Sequence, residues 1–578
     1  MRPRVCLRLL TVVLVGLSFR KVSAAEIPPI VHSDRGMVVC VNPEASDAGL
    51  AILKAGGNAV DAAITIAFAL AVTFPEAGNI GGGGFMMVWP GNQPESGDQK
   101  GVQPVCIEYR ETCPAAIGRD SFIKETRQEG HHSVGVPGTV RGLALAHEKY
   151  GKLPWKNLLA PAIRLASEGF PVDAVLVMGL NRLNQQTQGF PEFRRVYGKS
   201  DQTPWKEGDL LIQPDLAATL TSIATDGPDT FYQGTVARKL VAEMQAGGGY
   251  ITLEDLANYR ANIRQPVHTT YRNHVIYAPP PPSAGGTQLM ECLNILEQFD
   301  LSTSGPKSSR SAHLIAEAMR RASADRVRYQ GDPAFTPVPA QLTTKEHAQR
   351  VSQSLRVDQA TRSEDLGPDL KLSDEPPSTT HFSVVDGNGM GVANTYTLQN
   401  SYGSRVVVRG AGFLLNNEMT DFNWRPGVTT RDGRVGTEPN VMVPGKRMVS
   451  SQCPTFVARD GKLRLVTGSP GGRTIPSTVL CVVVNVVDFG MSVRDAVDAP
   501  RWHHQWFPDR LQFERLGDPD YAPLIGELRQ MHHEFGNEVK QLGDGYRRQG
   551  DAHSILIENG HLQGASDWRR TRGKAAGW

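Results

Sequence analysis

The chain has 578 residues, 40% hydrophobic and 21% charged, which is ordinary globular usage and enough apolar material for a sizeable buried core. Lysine and arginine total 61 against 59 aspartates and glutamates, a formal charge of +2 that excludes the basic stripe of a nucleic-acid-binding protein and favours a small-molecule partner. The length alone fits several domains or one large α/β core.

At the N-terminus, MRPRVCLRLLTVVLVGLSFRKVSAAE combines a basic start, an apolar stretch from Leu9 to Phe19 and the small-residue site Val22-Ser23-Ala24. That pattern predicts a cleavable signal peptide over residues 1–24, a mature chain from about Ala25, and a secreted or periplasmic protein. The apolar stretch falls short of the roughly 20 residues that span a bilayer, so membrane contact is expected only during export. Cys6 lies in the signal, and Cys40, Cys106, Cys113, Cys292, Cys453 and Cys481 are scattered without CxxC or zinc-ligand spacing.

Two helices are expected next, Glu44 to Lys54 ending at Gly56-Gly57, and Ala59 to Val72 with Asn58 as N-cap. The second is apolar nearly all round and should be buried. GNIGGGGFMMVW places Gly81 to Gly84 ahead of a strand, with no Gly-Lys-Ser/Thr after it, so close backbone packing is expected rather than phosphate binding. Helical pieces follow in TVRGLALAHEKYG and SRSAHLIAEAMRRASADRVRYQG, separated by turns and by the rigid run Pro279 to Pro282. Gln341 to Ser378 is polar and ends in EPPS, the composition of an exposed linker. Strand signals then come in succession, HFSVVD, MGVANTYTL, RMVSSQCPTFVAR and KLRLVTGS, before STVLCVVVNVVDFG, a helix or a buried strand. Strands on both sides of the linker indicate one layered α/β domain assembled from both halves.

The chemistry concentrates at PPSTTHFSVVD. A threonine hydroxyl is a weak nucleophile unless a base takes its proton, and a threonine freed at a chain terminus carries its own base, an α-amino group titrating near 7.7–8.0. The linker would leave the Ser378–Thr379 bond accessible to such cleavage. Read as a hairpin with Gly387-Asn388-Gly389 as a three-residue loop, the stretch puts Thr397 opposite Thr379; a two-residue loop would turn Thr397 to the other face. Glu418 and Asp421 are spaced to hold an ammonium, Arg110 with Ser450 and Ser451 to hold a carboxylate, and Gly471 and Gly472 to offer backbone N–H groups to an oxyanion. The histidine pairs 131–132, 503–504 and 532–533 lack metal-ligand spacing and read as structural or surface residues.

With GGNAVDAA, YRETCPAA, GVPGTVRGL, PPPPSAGGTQ, TTHFSVVD, LLNNEMTDF, SSQCPT, TGSPGGR, APRWHHQW and GASD in this order, the chain resembles the γ-glutamyltranspeptidase family of N-terminal nucleophile hydrolases from about Asp34 to Asp567. The resemblance implies a four-layer αββα sandwich and a precursor that cleaves itself into a large chain, 25–378, and a small chain, 379–578, held together as a heterodimer. It selects Thr379 over Thr380 as nucleophile, with Thr397 assisting. It also implies that Arg110, Ser450 and Ser451 bind the glutamyl α-carboxylate, Glu418 and Asp421 the α-ammonium, and Gly471 and Gly472 the oxyanion. Substrates would be glutathione and related γ-glutamyl compounds, with water, amino acids or dipeptides as acceptors and no metal or organic cofactor. Two departures stand out: Gln399 occupies a position where the family usually has asparagine, and the segment 427–447, in place of a lid loop, has no tyrosine and carries Asp432. The rival readings are a cephalosporin- or glutaryl-acylase-like amidohydrolase and a non-enzymatic binding protein on the same fold.

Overall fold

The computed structural model describes residues 28–91, 103–367, 378–425, 437–536, 549–570 and 573–578. The expected signal peptide, Glu375 to Pro377 of EPPS, and Asp432 lie outside the described residues.

Two seven-stranded sheets form the centre. The first runs, edge to edge, Val31–Ser33, His561–Ser566, His553–Glu558, Lys462–Thr467, Thr455–Arg459, His274–Ala278 and Val267–Tyr271. The second runs Lys574–Gly577, Gly36–Cys40, Thr379–Asp386, Met390–Thr397, Gly83–Pro90, Val105–Glu108 and Asn262–Arg264. Each sheet draws strands from both sides of residue 378, so neither half of the chain completes a sheet without the other.

Strict alternation of side chains assigns the layers. Met37, Val39, Phe85, Met87, Val385 and Ala393 of the second sheet meet Phe456, Val466 and Ile555 of the first between the sheets. Their neighbours Val38, Met86, Phe382, Val384 and Val392 point the other way, into a core shared with the helix Ala59–Thr73. On the far side, Ile276, Val457, Leu465 and Leu556 pack outward against the helices Ala284–Leu296, Ser309–Tyr329 and Ile475–Val487. Helix, sheet, sheet, helix is the αββα sandwich expected from the sequence, and STVLCVVVNVVDFG belongs to a helix.

The helix Ala59–Thr73 is buried along its whole length, as its apolar circumference requires. Its start is fixed twice over. Asn58 and Asp61 form a reciprocal capping box, and Asp386 Oδ2 accepts the Ala59 N–H at 3.0 Å. The other oxygen of Asp386 accepts from Asn388 and Met390 at 2.8 and 3.1 Å, closing the three-residue loop. One carboxylate therefore ties the hairpin turn to the buried helix.

Two expectations are corrected. Of the stretch Gln341 to Ser378 expected as an exposed linker, residues up to 367 are folded onto the helical layer, with helical turns at Ala340–Thr343, Lys345–Gln353 and Ser363–Leu366. Distant partners hold them: Ser363 Oγ accepts from Arg320 at 2.8 Å and donates to the Trp506 carbonyl at 2.7 Å, and Thr361 N–H donates to Glu317 at 3.1 Å. In RMVSSQCPTFVAR only Thr455–Arg459 is a strand; the preceding residues make two isolated bridges, Arg447 to Thr112 and Ser450 to Ser283, the second beside the proline run.

The glycine run does what close packing requires. A methyl group at Gly82 would stand 2.1 Å from the Thr397 carbonyl oxygen, and at Gly84 2.5 Å from the Thr395 carbonyl oxygen. Backbone, not a flexible side chain, is in the way. Gly82→Ala should destabilise the protein by roughly 1–3 kcal/mol, the usual range for overpacking, seen as a lower urea midpoint. An unchanged midpoint would show that the contact is not tight.

Candidate active site

The hairpin places Thr379 directly opposite Thr397, with Thr380 opposite Tyr396. This is the register of the three-residue loop. By alternation Thr379, His381 and Ser383 share the inter-sheet face with Val385, whereas Thr380 points to the helix side with Phe382. Thr379 Oγ lies 3.4 Å from Thr397 Oγ, and Thr397 Oγ donates to the Ser378 carbonyl oxygen at 2.6 Å. The two hydroxyls and the carbonyl of the bond ahead of Thr379 are thus in one hydrogen-bonded line. Ser378 is 2% exposed and Thr379 8%, so this bond is buried, not accessible as the linker composition implied. The groups beside the bond in the folded chain are the hydroxyls of Thr379 and Thr397.

The surroundings immobilise Thr397. Asn79 Nδ2 donates to its carbonyl at 2.9 Å, while Asn79 Oδ1 accepts from Gly82 N–H and Thr139 Oγ. Gln399 N–H donates to Thr397 Oγ at 2.8 Å. To aim that N–H backwards Gln399 adopts φ 80°, a left-handed conformation uncommon outside glycine. Two residues beyond Thr379, buried His381 contacts the Thr395 and Ser383 hydroxyls at 2.8 and 3.1 Å, and burial holds its pKa well below the usual value, so it is neutral. It pins the two strands together.

From Gln399 the contacts run into a charged cluster. Its side-chain amide donates to Asp421 at 2.6 Å, and Asp421 pairs with Arg110. Arg110 also meets Glu418 at 2.8 Å and Glu111 at 3.4 Å, and donates to the Val449 carbonyl at 3.3 Å. The acids and the arginine, expected as separate halves of a ligand site, form one buried group. Burial pushes Glu418 up to about 8 and Glu111 up to about 7, in both cases against the pull of Arg110. Burial works against the charge of Arg110 too, but Glu418, Glu111 and Asp421 outweigh it and raise its pKa. One guanidinium faces three carboxyl groups. Glu418 Oε1 and Glu111 Oε1 have no hydrogen-bond partner, so the cluster has unmet demand for a cationic donor.

Ser450 and Ser451 follow Val449 directly. The Ser450 N–H donates to the Pro282 carbonyl at 3.0 Å, and its carbonyl accepts the Ala284 N–H at 2.8 Å. The N-terminus of the helix Ala284–Leu296 is therefore held against the serines, and a methyl at Gly285 would lie 2.5 Å from the Ser451 carbonyl. That helix end carries partial positive charge, and Arg326 donates to Ser451 Oγ at 2.8 Å. The pair of serines thus sits in a positive environment, beside the negative cluster. Gly471 and Gly472 open a helical turn after Lys462–Thr467 with φ 140° and 56°, angles that side chains disfavour. Their loop starts at Gly468, where a methyl would be 2.3 Å from the His381 ring, so it packs against the Thr379 strand.

Sequence reasoning missed Asn79, Glu111, Arg326, His381 and Asn440, whose amide donates to the Asp421 carbonyl at 2.6 Å. All but Asn440 lie in stretches quoted above, but nothing local separates them from ordinary polar residues.

A family model for γ-glutamyltranspeptidase matches residues 45–578. The chain belongs to the γ-glutamyltranspeptidase family. It is an enzyme with that family's γ-glutamyltransferase and hydrolase chemistry. Among similar proteins are the glutathione hydrolase proenzyme of Escherichia coli, 40% identical over 98% of this chain and 97% of that protein, and that of Pseudomonas aeruginosa, 40% identical over 94% of each. The cephalosporin acylase of Bacillus halodurans superposes with a TM-score of 0.83 at 28% identity, covering 98% of this chain and 99% of that one. The γ-glutamyltranspeptidase of Helicobacter pylori is 38% identical, with a TM-score of 0.53 over 57% of this chain and 93% of that chain.

Proposed function

We propose that this γ-glutamyltranspeptidase is made as a precursor that cuts its own Ser378–Thr379 bond, and that Thr379 then transfers γ-glutamyl groups from glutathione or related amides. The observation that carries the proposal is the line Thr379 Oγ, Thr397 Oγ, Ser378 carbonyl, with spacings of 3.4 and 2.6 Å. In cleavage Thr379 Oγ attacks the Ser378 carbonyl carbon, its proton passing to Thr397 Oγ while the Thr397 proton goes to the carbonyl oxygen. Collapse breaks the C–N bond, the nitrogen takes a proton, and an ester links Ser378 to Thr379 Oγ. Water then hydrolyses the ester, leaving a Ser378 carboxylate and a free Thr379 amine. The products are chains 25–378 and 379–578, and their interleaved strands keep them as one heterodimer.

In turnover the free amine takes the Thr379 hydroxyl proton as Oγ attacks the γ-carbonyl. The N–H groups of Gly471 and Gly472 receive the oxyanion, and the protonated amine returns the proton to the departing cysteinylglycine. The γ-glutamyl ester is resolved by water, giving glutamate, or by an amino acid or dipeptide. The α-carboxylate of the glutamyl group takes the positive ground at Arg110, Ser450 and Ser451, and its α-ammonium takes the unmet acceptors of Glu418 with Asp421 and Gln399. With the signal over residues 1–24, we place this activity outside the cytoplasm.

Thr379→Ala should remain one uncut chain without measurable transfer activity, read by denaturing electrophoresis and anilide turnover. A cut or active variant would remove Thr379 from its role.

The whole-chain similarity to a cephalosporin acylase keeps a glutaryl-directed reading in play, and pH separates the two. Glu418 must lose its proton to pair with an ammonium, and burial holds it near 8. KM for a γ-glutamyl anilide should therefore fall as pH rises from about 6 to 8, and Glu418→Gln should raise KM roughly 30-fold or more and flatten that dependence. A glutaryl anilide lacks the ammonium and should show no such fall. Better turnover of the glutaryl anilide across the range would overturn the γ-glutamyl assignment.

A further inference from the structure

Away from the threonines, Glu291, Asp325 and His347 converge from three helices, Ala284–Leu296, Ser309–Tyr329 and Lys345–Gln353. His347 Nε2 is 3.3 Å from Asp325 Oδ2 and 3.6 Å from Glu291 Oε1, and the three atoms lie within 4.8 Å of one another. Those separations are long for charge-assisted hydrogen bonds, which close to about 2.7–2.9 Å. The His347–Asp325 separation equals the edge of a tetrahedron around an ion with ligands at about 2.0–2.1 Å, roughly 3.3 Å, and the His347–Glu291 separation is close to it. Glu291 is 1% exposed, and its Oε1 has no hydrogen-bond partner although it faces this space. His347 and Asp325 are 14% and 15% exposed, leaving a route for the ion and for a water in the fourth position.

A second histidine-bearing group, His313, Glu317 and His533, provides the contrast. There the rings are already 2.8 Å apart in a hydrogen bond, and Glu317 is taken by Arg320 and Arg321 at 3.1 and 2.5 Å. No ligand capacity is left over at that carboxylate.

We propose that Glu291, Asp325 and His347 bind a divalent transition-metal ion of the zinc class with one open position. One imidazole and two carboxylates suit such an ion better than magnesium or calcium, which take oxygen ligands in larger number. The ion's role is structural. All three ligands precede Ser378, and His347 sits on the short helix Lys345–Gln353 of the segment that leads to the cleavage site. The ion fastens that helix to the helices Ala284–Leu296 and Ser309–Tyr329 of the outer layer.

The test uses the full-length processed protein, dialysed against a chelator and titrated with Co2+, then with Zn2+ in competition. The expected result is one Co2+ per chain with the intense visible bands of a four-coordinate site, displaced by Zn2+. Asp325→Asn and His347→Gln, near-isosteric changes on partly exposed positions, should each abolish those bands and weaken binding by about 100-fold or more, beyond the effect of losing an outer-shell partner. Far-UV circular dichroism establishes that each variant is folded. Failure of the wild-type protein to saturate, or wild-type affinity in a folded variant, overturns the assignment.

Discussion

The Thr379–Thr397 pairing is the constraint on which the site depends. Strand alternation allows only one of two adjacent threonines to face the space between the sheets, and the three-residue turn closed by Asp386 decides which. A slip of one residue would turn the hydroxyl of Thr379 toward the helix Ala59–Thr73 and bring Tyr396 or Leu398 opposite it. The glycine run, Asn79 and Gln399 then hold Thr397 from three sides, and Gly82 lets the backbones meet at a distance no side chain permits.

Electrostatics supply the second constraint. A single arginine among three carboxyl groups in a site this enclosed cannot neutralise all of them, and burial answers by favouring protons on Glu418 and Glu111. Such a site gains most from a ligand that brings its own positive charge. The serines beside it lie at a helix N-terminus and next to Arg326, where a negative group is favoured. A zwitterion with the two charges on one carbon suits both at once, which is the chemistry of an α-amino acid head.

Much of this was legible in the sequence because the signals are local. Asn58 and Asp61 mark a helix start, Asp-Gly-Asn-Gly marks a turn, and alternation carries the register from that turn to Thr397. The failures have the opposite character. The helical turns between residues 340 and 366 are short and polar, and they form because Arg320, Glu317 and Trp506, distant along the chain, supply their partners. The extended piece ahead of Thr455 has strand-like composition, but its N–H groups go to the Asp332 and Asn440 side chains and to the Pro282 carbonyl. The union of Arg110 with Glu418 and Asp421 joins residues more than 300 positions apart, which no local pattern encodes.

The burial of the Ser378–Thr379 bond makes self-cleavage the point on which the account stands or falls. Intact-mass measurement with N-terminal sequencing of the purified wild-type protein tests it directly. The account predicts two chains that co-purify, the smaller beginning Thr379-Thr380-His381. A single uncut chain in active protein, or a new terminus at any other residue, would contradict it.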